Sequence, residues 1–331
     1  MDQQHWLQLA LGAALFLYGM WLMSQGLEQC AGGAFSRLLR RATRTPLGGV
    51  ALGAGLTALV QSSSATTLLC LGLVDAGAMG MPGAVGVIMG ANIGTTVTGQ
   101  LLRLAGGNWE GAWAFLRPTV FSPVLALAGA GATVFVARPA VRRAGQALLG
   151  FGLLFAGLGG VQAAVSPLAS SPGFLSFLSQ LDQPLLGLLA GIGLAAGLQS
   201  SSAGVGLLQA LALTGAVRWS TAVPILLGQN IGTCSTVLLA SLGAGRAAKQ
   251  GALIHLWFNV TGVLAFGLAI PLARLAGLLP FWHEAISMGR IADFHTFFNA
   301  ATTLLLLPFA GRMAARMERG AAPGIARKPA F

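Results

Sequence analysis

Charged side chains are scarce in this sequence, and that scarcity excludes a water-soluble globular protein. Only 8% of the 331 residues are charged, 19 Lys or Arg and 8 Asp or Glu, whereas soluble domains carry about 25%. Hydrophobic residues make up 55% of the chain, and the mean hydropathy is +0.76. The composition therefore predicts an all-α polytopic membrane protein, since uncharged stretches of helical length recur along the chain.

Cysteines and buried acids are also few, and each shortage excludes a kind of chemistry. The three cysteines, Cys30, Cys70 and Cys234, are too far apart for a disulfide framework or a paired metal motif. None of the eight Asp and Glu residues falls in the middle of an apolar segment. Proton-coupled carriers place an ionisable group on the transport path, whereas neutral oxygens can hold sodium. If the protein is a carrier, this shortage favours sodium over protons as the coupling ion, and no other cofactor is expected.

Apolar stretches of about 17 to 25 residues with at most one charged residue, the length that crosses a bilayer, predict seven crossings. They lie at 6–27, 82–102, 113–136, 145–165, 220–243, 252–273 and 291–311. Two more apolar blocks, 46–76 and 184–215, are each split by a polar cluster into arms too short for full crossings. We interpret both as re-entrant helical hairpins, although double crossings would give the same loop sides.

The net charge of +11 follows the positive-inside rule and does not indicate nucleic-acid binding. With the N-terminus outside, 14 of the 19 basic residues lie on the cytoplasmic side, together with the C-terminus. The expected location is a plasma membrane, with lipid as a surrounding partner.

An internal repeat relates the two halves of the chain at an offset of 138 residues. Gln61 to Ala65 (QSSSA) matches 199–203, and Gly90 to Thr95 (GANIGT) matches 228–233, GQNIGT. Between Gly53 and Thr98 there are 21 identities in 46 positions. Three crossings plus a hairpin per copy predict two inverted repeats, 1–144 and 145–277. A final transmembrane helix and a basic cytoplasmic tail then occupy 278–331. Inverted repeats with broken apolar segments are typical of secondary transporters, whose substrate site lies near the midplane.

The duplicated polar clusters suit an anion and a small cation. Each Ser triplet falls where the second hairpin arm begins, so its hydroxyls can cap that helix and its free N–H groups can face an anion. Each NIGT segment interrupts an apolar span, and its glycine, Gly94 or Gly232, predicts a discontinuous helix. Interhelical packing alone is a weaker explanation for four such clusters, although Ser, Thr, Asn and Gly commonly serve that purpose.

A further motif, His-x-x-Phe-Asn, occurs at 255–259 and 295–299. Its His and Asn share one helix face, and we expect interhelical hydrogen bonds rather than a metal site, because no Cys or carboxylate accompanies them. A serine hydrolase would need a base beside either triplet, and the sequence offers none, so we do not expect an enzyme. An anion channel stays possible and would pass its ion without sodium.

At these motifs the sequence resembles the sodium-phosphate cotransporter family, type II in animals with many bacterial members, over roughly residues 10 to 312. The resemblance implies sodium-coupled symport of inorganic phosphate by alternating access. A sodium-coupled carrier of another oxyanion or a carboxylate is the alternative. Animal members that move net charge carry an Asp after the first NIGT segment, and residues 104–109 contain none, so we expect electroneutral coupling. The oligomeric state is not predicted.

The predicted substrate- and sodium-binding residues are polar and neutral, and sodium is assigned to oxygens of the same set. They are Gln61, Ser62, Ser63, Ser64, Thr66, Asn92, Thr95, Thr96, Gln199, Ser200, Ser201, Ser202, Asn230 and Thr233.

Overall fold

The computed structural model describes residues 3–42, 45–76, 78–107, 118–167 and 171–320. Within these ranges the chain is almost entirely helical, as the composition predicted. The α-helices are α1 (Gln3–Ala42), α2 (Pro46–Val60), α3 (Ser63–Asp75), α4 (Met81–Leu102), α5 (Pro118–Phe135), α6 (Pro139–Val165), α7 (Pro172–Gln180), α8 (Pro184–Leu198), α9 (Ser201–Ala212), α10 (Trp219–Gly232), α11 (Cys234–Ser241), α12 (Arg246–Leu275), α13 (Met288–Leu306) and α14 (Ala310–Gly320).

Within the described ranges, five helical segments are long and apolar enough to cross a membrane, and the protein is a multi-pass membrane protein. These segments are His5–Cys30, Met81–Gly106, Pro139–Val165, Trp219–Ser241 and Ala248–Leu275. A sixth is added if α7 and α8, which are bent by 99° relative to each other, form one span.

Five of the seven predicted crossings correspond to these segments. The two stretches that fall short are 113–136 and 291–311. The first lies partly outside the described residues, and its described apolar helix is only Val120–Phe135. The second is covered by α13, which ends at Leu306 and carries the charged residues Arg290 and Asp293.

Corresponding helices of the two copies begin at residues that are 138 positions apart. The helix α2 begins at Pro46 and α8 at Pro184, α3 at Ser63 and α9 at Ser201, α4 at Met81 and α10 at Trp219. Proline at the first helical position and serine just before a helix favour helix starts. In both copies the first hairpin arm (α2, α8) begins with proline, and the second arm (α3, α9) follows a serine. The internal repeat therefore extends to the helix boundaries.

The first helices of the two copies, α1 and α6, pack against each other in antiparallel orientation. A Cβ on Gly12 would lie 2.6 Å from Val161 N, one on Gly19 2.4 Å from Leu154 N, and one on Gly26 2.5 Å from Ala147 N. Residue numbers rise along α1 as they fall along α6, so the two helices run in opposite directions. The inversion of the complete copies stays a prediction.

The first arm of each hairpin lies along the following long helix, with glycines at the contact. A Cβ on Gly90 would lie 2.0 Å from the carbonyl oxygen of Val50, and one on Gly94 would lie 2.4 Å from that of Ala54. In the second copy, a Cβ on Gly228 would lie 2.0 Å from Leu188 O. Small residues at a four-residue spacing allow this backbone approach between membrane helices.

Apolar residues on the outer helices face away from the protein interior, where lipid would surround them. Trp6 and Trp21 of α1 and Leu264 and Leu268 of α12 each expose more than half of their surface. After α13 a short 3-10 helix (Leu307–Phe309) leads into α14, so the first part of the expected basic tail is helical. The rest of that tail, 321–331, lies outside the described residues.

Candidate functional site

Each hairpin turns at its QSSS segment in the same way. The glutamines Gln61 and Gln199 adopt left-handed backbone conformations, with φ of 61° and 51°. The next residue caps the second arm, since Ser62 Oγ accepts a hydrogen bond from Ala65 N at 3.2 Å and Ser200 Oγ accepts one from Ala203 N at 3.2 Å. The prediction that the Ser triplets cap these helices is confirmed.

Capping leaves two backbone donors unused at the start of each second arm. Of the first four N–H groups of α3, Ala65 N bonds to Ser62 Oγ and Thr66 N bonds to Ser62 O at 3.1 Å. The N–H groups of Ser63 and Ser64 have no acceptor inside the helix. In the second copy, the same reasoning leaves those of Ser201 and Ser202.

Most predicted hydroxyl and amide side chains lie inside the protein. Ser63, Ser201, Ser202, Thr66, Asn92, Thr95, Thr96, Asn230 and Thr233 are all buried. Ser62, Ser64, Ser200 and Gln61 are partly buried, whereas Gln199 is exposed. Thr66 Oγ1 donates to Ser62 O at 3.0 Å, so it reinforces the cap and keeps only acceptor capacity for a ligand.

Each tip is bonded to a threonine that lies outside the predicted set of binding residues. Thr98 Oγ1 donates to Gln61 Oε1 at 2.6 Å, and Thr236 Oγ1 donates to the backbone oxygen of Gln199 at 3.3 Å. Thr98 and Thr236 are themselves 138 residues apart, so their identity in the repeat was a usable signal. Gln61 also donates from Nε2 to Ala58 O, which fixes its side chain against the hairpin.

The prediction of discontinuous helices at the NIGT segments is wrong for the first copy. The helix α4 runs from Met81 to Leu102 through Asn92 and Gly94 without a break. In the second copy only Thr233 separates α10 from α11, and its backbone is right-handed helical, with φ −58° and ψ −29°. Gly94 and Gly232 allow close packing of their helices against α2 and α8 and do not unwind the backbone. The hairpin arm lies where a side chain would be at these two positions.

Since the helices continue, the NIGT side chains bond to their own backbone. Asn92 Nδ2 donates to Ile88 O at 3.0 Å, and Asn230 Nδ2 donates to Leu226 O at 2.8 Å. Thr95 Oγ1 and Thr233 Oγ1 donate to carbonyl oxygens four residues earlier, at 3.0 and 2.7 Å. The hydroxyl donors are thereby used, and each amide uses one of its two N–H groups. The side-chain oxygens act as acceptors, which suits a cation.

The first His-x-x-Phe-Asn motif connects the two copies. His255 Nε2 lies 3.4 Å from Asn92 Oδ1 of the first NIGT segment, and Asn259 Nδ2 lies 3.5 Å from the same oxygen. Asn259 Nδ2 also lies 3.4 Å from Sγ of Cys234, the residue that follows the second NIGT segment. The expectation of interhelical hydrogen bonding is confirmed for this copy. Among the described residues, no hydrogen bond joins the two QSSS tips directly.

The described ion pairs lie towards helix ends rather than at the tips. Arg103 Nη1 lies 2.8 Å from Asp293 Oδ1, with both side chains nearly half exposed. Arg218 Nη1 lies 3.8 Å from Asp182 Oδ2, just before α10 begins. The tips can therefore offer N–H groups and hydroxyls to an anion, while charge compensation would come from bound cations.

Comparison with known proteins agrees with these features. The profile of the Na⁺/Pi-cotransporter family matches residues 15–163 and 168–278. "Uncharacterized protein YqeW" of Bacillus subtilis (strain 168) is 30% identical over 294 residues, which cover 88% of this chain and 91% of that protein. "Putative inorganic phosphate export protein YjbB" of Escherichia coli (strain K12) is 29% identical over 321 residues, 93% of this chain and 54% of that protein. The chain thus spans about half the length of this second relative.

A human relative matches a shorter stretch. "Sodium-dependent phosphate transport protein 2C" of Homo sapiens is 43% identical over 104 residues, 28% of this chain and 17% of that protein. The search of solved structures found no match. Because the family profile covers both copies of the repeat, the chain belongs to the Na⁺/Pi-cotransporter family.

Proposed function

We propose that the protein carries inorganic phosphate across the bacterial plasma membrane by sodium-coupled symport with alternating access. The N-terminus would lie outside and the C-terminus in the cytoplasm. The family consists of transporters, and the chain is a transporter rather than an enzyme. The observation that carries the substrate assignment is the pair of buried, capped helix starts at Ser63 and Ser201.

Phosphate fits these helix starts because each offers several donors in one place. The unused N–H groups of Ser63 and Ser64 lie at the positive end of α3, and the hydroxyls of these serines add further donors. The helix α9 repeats the arrangement with Ser201 and Ser202. Two such sets can surround an anion that has four oxygens. The same donors would also accept sulfate or a carboxylate, so another oxyanion is the alternative substrate.

Sodium fits the NIGT segments because their side-chain oxygens are neutral acceptors, of which Asn92 Oδ1 also lies 3.5 Å from Asn259 Nδ2. The amide nitrogens of Asn92 and Asn230 donate to their own helices, and the side-chain oxygens are the remaining functional atoms. A divalent phosphate buried without a basic residue would cost several kcal/mol. Bound sodium ions would compensate this charge, which makes binding of the two solutes interdependent.

Alternating access is supported by the contacts between the copies. The antiparallel packing of α1 on α6 is the arrangement expected for inverted repeats, and the Asn92–Asn259–Cys234 contacts join the two NIGT regions. Movement of one copy against the other would therefore change the central site itself.

Outward transport is a second candidate, since a relative over 93% of this chain is named "Putative inorganic phosphate export protein YjbB". A symporter driven by an inward sodium gradient would instead take phosphate up. Uptake and export of phosphate respond differently to a sodium gradient, so flux measurements in vesicles can distinguish them.

The test is flux of radioactive phosphate in proteoliposomes that contain the purified full chain. Inward phosphate accumulation driven by an inward sodium gradient, and lost when potassium replaces sodium, is the expected result. Competition by unlabelled sulfate, arsenate and succinate identifies the preferred anion. Phosphate flux that is equal with and without sodium would reject the coupling, and failure of unlabelled phosphate to compete would reject the substrate.

A further inference from the structure

An open groove lies on the protein surface between α12 and α14. One part of it has a volume of about 790 Å³ and the neighbouring part about 510 Å³. Both parts are lined by Trp257, Met313 and Arg316, so they form one continuous groove. We call it the α12–α14 groove, defined by Leu253, Trp257, Phe309, Arg312, Met313 and Arg316.

The helix α14 has two faces of different chemistry. Ala310 and Ala314 are fully buried, in an apolar core that also contains residues of α4. Arg312 and Arg316 each follow two residues later, about half a turn round the helix, and both are exposed. Packing against α4 therefore holds α14 in place and turns the two arginines towards the groove.

The wall that α12 contributes is apolar. Leu253 and Trp257 are one turn apart on this helix, so they share a face, and they expose 58% and 61% of their surface. Phe309 and Met313 add apolar surface on the other side of the groove. A contiguous apolar surface of this kind suits hydrocarbon chains better than water.

The two arginines add positive charge to this apolar surface. Arg312 Cζ lies 5.7 Å from the centre of the Phe309 ring, and neither arginine takes part in the ion pairs that the structure describes. Guanidinium groups bind phosphate through parallel hydrogen bonds. Basic pockets between membrane helices on the cytoplasmic side suit phospholipid head groups. The groove therefore combines a phosphate-binding pair with a surface for acyl chains.

Other occupants fit this combination less well. Residues 321–331 contain Arg327 and Lys328 and no acidic residue, so they offer the two arginines of the groove no side chain of opposite charge. Free inorganic phosphate would bind the arginines but would leave Leu253 and Trp257 in contact with water. A phospholipid matches both parts, because it joins a phosphate to hydrocarbon chains.

We propose that the α12–α14 groove binds one anionic phospholipid. Its phosphate is held by Arg312 and Arg316. Its acyl chains lie along Leu253 and Trp257. The site goes beyond the proposed function, because no part of it depends on phosphate transport or on the QSSS tips.

Native mass spectrometry of the purified full chain in detergent tests the head-group contact. The protein is titrated with phosphatidylglycerol and, separately, with phosphatidylcholine, which has a phosphate and acyl chains but no net charge. We expect one molecule of phosphatidylglycerol to bind in preference to phosphatidylcholine. The double variant Arg312→Gln with Arg316→Gln should bind phosphatidylglycerol about tenfold or more weakly.

The matched control is Arg142→Gln with Arg143→Gln. These two arginines are an exposed pair near the start of α6, on the same predicted side of the membrane, so their replacement removes the same charge away from the groove. Its affinity for phosphatidylglycerol should stay within about twofold of the wild type, since an exposed charge away from the ligand contributes little. Equal loss in both double variants, or equal wild-type affinity for the two lipids, would overturn the proposal.

Trp257→Gln tests the acyl-chain contact. Loss of the ring should weaken phosphatidylglycerol binding about fivefold or more, because less apolar surface is covered. Trp21→Gln is its control, since Trp21 is 55% exposed on α1 and lies outside the groove. Excess inorganic phosphate should not displace the lipid. Displacement by inorganic phosphate, with binding unchanged in Trp257→Gln, would identify a site for free phosphate and overturn the proposal.

Thermal unfolding and oligomeric mass complete the test. Phosphatidylglycerol should raise the unfolding temperature of the wild type but not of the variant that lacks Arg312 and Arg316, and unfolding without lipid checks that each variant is folded. An oligomer that dissociates in this variant while lipid binding is unchanged would assign the groove to a second copy and overturn the proposal. None of these measurements uses phosphate flux, so their outcome is independent of the proposed function.

Discussion

At the scale of single residues, the serines of each triplet have different roles although the sequence presents them alike. Ser62 and Ser200 use their hydroxyls to cap α3 and α9. The hydroxyls of Ser63 and Ser201 take no part in these caps and stand at the helix starts, where phosphate would bind. Substitutions in the triplet should therefore affect either stability or affinity, depending on the position.

We expect Ser63→Ala and Ser201→Ala to weaken phosphate transport while the protein stays folded. A lost hydrogen bond to a charged ligand costs about 1.5 to 3 kcal/mol, which is about ten- to a hundredfold in affinity. The apparent KM for phosphate, measured in proteoliposomes, should rise accordingly.

Ser62→Ala provides the contrast, since loss of an N-cap costs about 0.5 to 2 kcal/mol of helix stability. It should lower the thermal unfolding temperature in detergent more than Ser63→Ala does. Unchanged phosphate transport by both Ser63→Ala and Ser201→Ala would contradict the site assignment.

At the scale of helices, close approach of hairpin and long helix depends on glycine. Gly94 of α4 faces the backbone of α2, with the space of its missing Cβ only 2.4 Å from Ala54 O. By contrast, a Cβ on Gly55 of α2 would have no neighbouring atom within 4 Å. The two glycines therefore form a matched pair for testing packing against intrinsic helix propensity.

Gly94→Ala should lower the stability of the protein, because overpacking of a close helix contact typically costs about 1 to 3 kcal/mol. Gly55→Ala should be neutral or stabilise by up to about 1 kcal/mol, since alanine favours a helix over glycine. Thermal unfolding in detergent measures both. Unchanged stability of Gly94→Ala would contradict the close packing of α4 on α2.

At the scale of the whole molecule, inverted copies would expose the two tips to opposite sides of the membrane. In a functional cysteine-free background, Ala65→Cys should react with a membrane-impermeant thiol reagent mainly from the cytoplasm, and Ala203→Cys mainly from outside. Ala203 is fully buried, so its labelling rate also reports opening of the second tip. Sodium with phosphate should protect both positions, and labelling of both from one side only would refute the inversion.

The charge balance of the complete transport cycle gives a second prediction at this scale. Two sodium ions cancel the charge of a divalent phosphate, so the initial flux at saturating sodium should not change with membrane potential. A third ion would move one positive charge, driven by about 2.3 kcal/mol per 100 mV. Proteoliposomes clamped with potassium and valinomycin at fixed pH measure this, and a clear rise with inside-negative potential would indicate three ions.

The sequence by itself determined the features that local chemistry and repetition control. Scarce charge and long apolar runs require membrane helices, because backbone polar groups must be satisfied in lipid. Proline and serine at helix starts specify where α2, α3, α8 and α9 begin, and the offset of 138 residues relates their positions. The caps at Ser62 and Ser200 follow from the same local rules.

Only the tertiary structure decided the features that depend on neighbouring helices. A glycine in an NIGT segment permits either an unwound backbone or close packing, and the presence of α2 against Gly94 selects packing. The meeting of Asn92 with His255 and Asn259 joins residues that lie more than 160 positions apart. Such contacts depend on how whole helices are arranged, and spacing along the chain does not encode them locally. The buried oxygens Asn299 Oδ1 and Thr302 Oγ1 have no hydrogen-bond partner. Only the structure shows this, because burial and hydrogen bonding are properties of the packed molecule.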